Sequence, residues 1–194
     1  MYQCQFVNNK IGIIYSVCVI ALSALCAYGI SEYCNSLQFA MLQLNDLPFS
    51  YRVLFKMSSG ITALAPLMIS AFLYFTSELM FNSFFEEHIS KRSLISIIGI
   101  SYTPMLIYQY VFWFNLILYC KVGEITSIEE FVNMKYILGL RLQDFQFINL
   151  VCWGIIYLII ILFYIFKDIN VFKVLFSMLF PSFIVILVYY LFLV

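Results

Sequence analysis

Apolar positions in this chain run together instead of alternating. Five stretches, 11–30, 61–82, 94–120, 147–166 and 174–194, carry almost no charged side chain. A helix rises ~1.5 Å per residue and a bilayer core is ~30 Å thick, so ~20 apolar residues span it. Each stretch is long enough, and the pattern predicts five transmembrane helices. Barrel strands would alternate over only ~10 residues, so continuous runs favour helices. A helix also pairs its backbone polar groups within one segment, as lipid demands. The predicted fold is an all-α integral membrane protein with a single domain over 1–194.

The polar segments between these stretches alternate in length. A ten-residue tail, loop 83–93 and loop 167–173 are short, whereas loops 31–60 and 121–146 are long. Both long loops therefore fall on one side of the membrane. Each side holds five Lys and Arg residues. Those of the short segments (Lys10, Lys91, Arg92, Lys167, Lys173) are packed more densely and flank the spans more closely. The positive-inside rule then predicts a cytoplasmic N-terminus and an extracytoplasmic C-terminus. The first stretch also invites comparison with a signal peptide, but it is longer than a usual apolar core and lacks an A-x-A site, so it is expected to stay attached. Leu25 before Cys26 and Tyr33 before Cys34 are too bulky for lipoprotein processing.

Both long loops show helical spacing. Leu37, Met41 and Leu44 recur at helical intervals before Pro48, and Tyr51, Leu54 and Phe55 continue an apolar face. This predicts an amphipathic hairpin lying on the membrane surface. In the second loop Ser127 and Glu130 form a capping box, followed by Ile128, Phe131 and Met134 as a stripe, with Gly139 as a helix stop. Two readings hold for these helices: caps on the bundle, or a docking face.

Composition narrows the class further. The chain is 64% hydrophobic and 10% charged, with zero net charge. Soluble domains carry roughly a quarter charged residues, so a water-soluble fold is excluded. No basic footprint for nucleic acid is present. The six cysteines (Cys4, Cys18, Cys26, Cys34, Cys120, Cys152) contain no CxxC pair, which argues against a zinc site or a disulfide framework. Cys34 and Cys120 are both expected near the outer face, leaving a disulfide between them open.

Ala65-Pro66-Leu67 in the second stretch, Ser101-Tyr102-Thr103-Pro104 in the third, Leu138-Gly139-Leu140, Asp144-Phe145 and Trp153 occur in an order that resembles the Ypt-interacting-protein (Yip) family of five-span membrane proteins, in its compact prokaryotic form. The resemblance covers nearly the whole chain from the first span. It implies a cytoplasmic N-terminus, a prokaryotic cytoplasmic membrane and a non-enzymatic helper that binds other membrane proteins. Prokaryotic relatives often accompany ABC-type exporters. Eukaryotic members carry a long cytoplasmic region associated with small GTPases, but only ten residues precede the first stretch here, so that role is not carried over.

Candidate chemistry is sparse. Glu86-Glu87-His88-Ile89-Ser90-Lys91-Arg92 resembles the Glu-Glu-x-x-x-Arg run of CAAX-type intramembrane proteases, with Lys91 at the Arg place. That chemistry needs several histidines, and the chain has only His88. Gly99-Ile100-Ser101 hints at a serine nucleophile, but no base is in evident reach. Ser96, Gly99 and Thr103 share one helical face and read better as a close-packing patch. Glu78 is the one charged residue clearly within a span, expected near the inner surface and paired with Lys91 or Arg92, or else a partner's or proton's site. Gln109 and Asn115 are expected to hydrogen-bond between helices. Pro66, Pro104 and Pro181 should kink their spans. No catalytic residue, cofactor or metal is expected. The contact candidates are Glu78, Pro66, Pro104, Gln109, Asp144 and Trp153. The expected function is a membrane accessory or scaffold subunit, embedded in lipid and bound to other integral membrane proteins such as ABC exporter subunits. It would assist assembly, substrate export or protection against a membrane-active peptide. The alternative is a small oligomeric transporter or channel.

Overall fold

The computed structural model describes residues 10–41, 49–86, 89–122, 124–125, 127–177 and 179–180. Over these residues the fold is helical, with no strand. Helix α1 is Lys10–Met41, and α2 is Phe49–Glu78, which runs on into a π-helical turn, Leu79–Phe84. Helices α3 (Lys91–Ser101) and α4 (Thr103–Tyr119) follow, then the short α5 (Ile128–Asn133), a 3-10 turn at Ile137–Gly139, and α6 (Leu142–Ile165). Residues 171–177 are helical again.

Among the described residues four helical segments are long and apolar enough to cross a membrane: Lys10–Met41, Phe49–Phe84, Lys91–Tyr119 and Leu142–Ile165. They match the first four predicted stretches. The fifth, 174–194, lies mostly outside the described residues, as does Pro181.

The first two helices are longer than their apolar cores. At ~1.5 Å per residue α1 runs about 48 Å, well past a ~30 Å hydrocarbon layer. This corrects the separate surface hairpin where it falls on described residues, 34–41 and 51–56; Leu44 and Pro48 lie outside them. Residues up to Met41 continue α1, and residues from Phe49 belong to α2. No strong breaker separates Ile30 from Met41, so the Leu37–Met41 face keeps the phase of the span before it. The two ends pair with each other. The Asn35 side-chain amide donates to Ser59 Oγ at 2.8 Å and to the Phe55 carbonyl at 3.2 Å, and Phe39 meets Phe55 edge-on at 4.5 Å between ring centroids.

Third-span residues form two helical pieces. Tyr102 makes the turn between them, its N–H shared by the carbonyls of Ile98 and Gly99. Pro104 explains the break. It has no N–H for the Ile100 carbonyl, and its ring crowds that group. As the second residue of α4 it sits where a missing N–H costs little. Pro66 is different: it is buried inside α2, which continues through it.

The chain separates into two compact units. One comprises residues 1–20, 68–103 and 154–194. There α1 and α3 touch through small residues. The Ser16 hydroxyl donates to the Ser96 carbonyl at 2.8 Å, and Tyr15 and Thr103 hydroxyls stand 3.0 Å apart. A Cβ on Gly99 would overlap Ser16, so the close-packing patch read from sequence has α1 as its neighbour. Ser90 caps α3 through the Ser93 N–H. Tyr164 is fully buried with its ring 4.7 Å from that of Phe81. Asp168 ends α6 in the left-handed conformation (φ 61°). Its N–H reaches the Ile165 carbonyl, and the Ile169 N–H reaches that of Tyr164, which satisfies two terminal carbonyls in a Schellman arrangement.

The other unit comprises residues 21–67 and 104–153. Its core is Leu37, Leu116, Cys120, Ile125, Tyr136 and Phe145. The segment after α4 therefore folds back onto the helices. Ser127 caps α5 by accepting the Glu130 N–H at 3.1 Å. Helix α5 ends at Asn133, and Gly139 instead closes the 3-10 turn with φ 73°, a conformation that costs glycine least.

Candidate functional site

Of the candidates read from the sequence, Glu78, Gln109, Asn115, Asp144 and Pro104 are each engaged by a neighbour. Glu78 ends α2, and its carboxylate lies 3.0 Å from Lys91 Nζ at the start of α3. Sequence spacing anticipated this local pair, since a carboxylate left alone near lipid is costly. Gln109 faces α1 from α4 and accepts the Ser23 hydroxyl at 2.5 Å. Asn115 bridges α4 to the loop: its Oδ1 accepts the Ile137 N–H at 3.1 Å, and its Nδ2 donates to the Val111 carbonyl at 2.8 Å. Asp144 opens α6 by accepting the Arg141 N–H at 2.6 Å, which satisfies one orphan donor of that helix start. The Pro104 carbonyl faces the Cys152 thiol of α6 at 3.8 Å. Trp153 is half-buried on α6.

These contacts hold helices in register, and no reacting pair emerges from them. The Ser101 hydroxyl donates to the Ile98 carbonyl of its own helix at 2.7 Å and is fully buried. Glu86 has φ 56° in the turn after the π-helical segment, while Glu87 and His88 of the Glu-Glu-His run lie outside the described residues. Among the described residues no three His, Cys, Asp or Glu side chains gather to hold a metal.

Two features escape the sequence reading. The first is a groove of about 730 Å³ between α1 and α4. Leu22, Leu25, Tyr110 and Ile117 line it, with Glu32 at its edge. Its floor depends on Gly29, because a Cβ there would collide with the indole of Trp113. The second is the outward face of α2 and of α6. Only 22% of the most apolar stretch of each is buried, against 39% for α1 and 44% for Lys91–Tyr119. On α2, Leu54, Met57, Ile61 and Leu64 are exposed at three- and four-residue steps, and among the described residues nothing lies within 4 Å of where a Cβ on Gly60 would stand. On α6, Ile155, Leu158 and Leu162 are exposed, and a Cβ on Gly154 likewise meets nothing among the described residues. Neither feature has a signal in one sequence, because apolar residues fill inward and outward faces alike when the solvent is lipid.

No protein-family model matches the chain, and neither a curated protein nor a solved structure matches it.

Proposed function

We propose that the protein is a non-enzymatic accessory or scaffold subunit of the membrane that binds other integral membrane proteins by lateral helix packing. The observation that supports this reading is the pair of open glycines on outward apolar helix faces, Gly60 on α2 and Gly154 on α6. Lipid tails do not need such notches. Helices do, because association within a bilayer rests on close backbone approach at small residues. Ser16, Ser23, Gln109 and Asn115, polar groups inside the spans, tie helices and loop together, which fits a scaffold better than a transport pathway.

The partner we propose is an ABC-type exporter complex in a prokaryotic cytoplasmic membrane, with this chain's N-terminus cytoplasmic. That choice rests on the Yip-like order of Pro66, Ser101-Tyr102-Thr103-Pro104, Leu138-Gly139-Leu140, Asp144-Phe145 and Trp153. The test is co-purification from native membranes in mild detergent, followed by identification of the ATPase and permease subunits. Gly60→Leu and Gly154→Leu should each deplete them without lowering the melting midpoint of the chain. Recovery of the wild-type chain without such subunits, or ion or solute flux from the purified chain alone in liposomes, would overturn the reading in favour of a small self-sufficient transporter.

A further inference from the structure

Three sulfur-bearing side chains, from α1, α4 and the following loop, pack into one core. Cys120, at the end of α4, is fully buried in the core described above. Its thiol stands 3.6 Å from Met134 Sδ and 3.4 Å from the phenol oxygen of Tyr136. Cys34, on α1, packs against the same core and lies within electrostatic reach of both Cys120 and Tyr136. Both cysteines are free thiols. A cavity of about 460 Å³ leads to Cys34, and Met41 lines it as well. Met41 lies seven residues along the helix, ~10 Å further toward the helix end at 1.5 Å per residue.

We propose that Cys34, Cys120 and Met134 form a binding site for a soft monovalent metal ion, Cu(I) in particular. Geometry is the first reason. An ion ~2.3 Å from each sulfur, the usual metal–thiolate length, would bridge the Cys120–Met134 gap at an angle of roughly 100°, suited to three- or four-coordination. Ligand chemistry is the second. Thiolate with thioether selects Cu(I), whereas carboxylate and imidazole ligands for harder ions are not gathered here. Each coordinating thiol, Cys120 and Cys34, releases its proton to solvent as its sulfur–copper bond forms, which leaves the bis-thiolate site with one net negative charge. Met41 and Cys34 then mark the way in, through the cavity they line.

The experiment uses the full-length chain in detergent, reduced and titrated anaerobically with Cu(I) against a chromogenic Cu(I) chelator. One equivalent should be held, with the ultraviolet band of thiolate-to-copper charge transfer. Cys34→Ser and Cys120→Ser should each weaken retention at least tenfold, and Met134→Leu several-fold. Cys18→Ser, whose sulfur is exposed elsewhere on α1, should change nothing. The metal-free melting midpoint of each variant identifies any that fails to fold. Cys34, only partly buried, keeps the test open if Cys120→Ser misfolds. Absence of retained copper, or equal retention by wild type and Cys34→Ser, would overturn the proposal. So would recovery from native membranes with Cys34 and Cys120 joined as a disulfide, which leaves no thiol to bind.

Discussion

Replacing Gly99 by alanine adds one methyl group where α3 meets α1. Built on the backbone, that Cβ falls well inside van der Waals distance of Ser16 Cα, Cβ and Oγ. Carbon atoms rest ~3.5–4.0 Å apart, so the two helices must part by more than an ångström. The Ser16–Ser96 hydrogen bond, 2.8 Å long, then stretches toward the limit of ~3.5 Å beyond which little attraction remains. Overpacking of this kind costs ~1–3 kcal/mol. A lost hydrogen bond between membrane helices adds ~0.6 kcal/mol. Against this, alanine gains ~0.5–1 kcal/mol over glycine in a helix interior. The net expectation is a loss of about 2 kcal/mol for Gly99→Ala. The control is Gly154→Ala, where the same methyl meets nothing and only the gain of ~0.5–1 kcal/mol remains. Reversible unfolding in mixed micelles, followed by far-ultraviolet circular dichroism, measures both. Equal stability of Gly99→Ala and wild type, or an equal loss in Gly154→Ala, would refute the packing argument.

Asn115→Leu should destabilise the loop after α4, because the Ile137 N–H loses its acceptor; a hydrogen bond of this kind contributes ~0.5–1.5 kcal/mol. Hydrogen exchange should then quicken around Tyr136 and leave α1–α3 contacts at Ser16 unchanged. Asp144→Ala removes the acceptor for the Arg141 N–H at the start of α6 and should cost ~0.5–2 kcal/mol in the same unfolding assay. Asp144→Asn, which keeps an acceptor oxygen, should recover most of that loss.

The first two spans teach where sequence reading stops. Their existence follows from uninterrupted apolar runs, but their ends do not. Residues 34–41 read as part of a separate surface element because Leu37 and Met41 recur at helical spacing with Gln38 between them. In the fold they lengthen α1, because Leu37 finds a core and Asn35 finds Ser59. Glu78 was legible because Lys91 is its near neighbour along the chain across a short turn. The roles of Gln109 and Asn115 were legible only in kind. Ser23 and Ile137, which satisfy them, are 86 and 22 residues away.

What the sequence alone determined is the solvent and the material: long apolar runs with few charges belong in lipid, and in lipid the backbone must close its own hydrogen bonds as helices. Tertiary structure decided which small residues are pressed against a neighbour and which stand open. Gly99 and Gly154 are both glycines inside apolar helices, yet one is filled by Ser16 and the other by nothing. The same holds for the sulfurs. The sequence left a Cys34–Cys120 disulfide open and placed Met134 in an apolar stripe, and only the folding of the α4–α6 segment back onto the helices puts Met134 against Cys120 in a core that Cys34 shares. Lipid, unlike water, does not sort inward from outward faces by polarity, so that information exists only once the helices have packed.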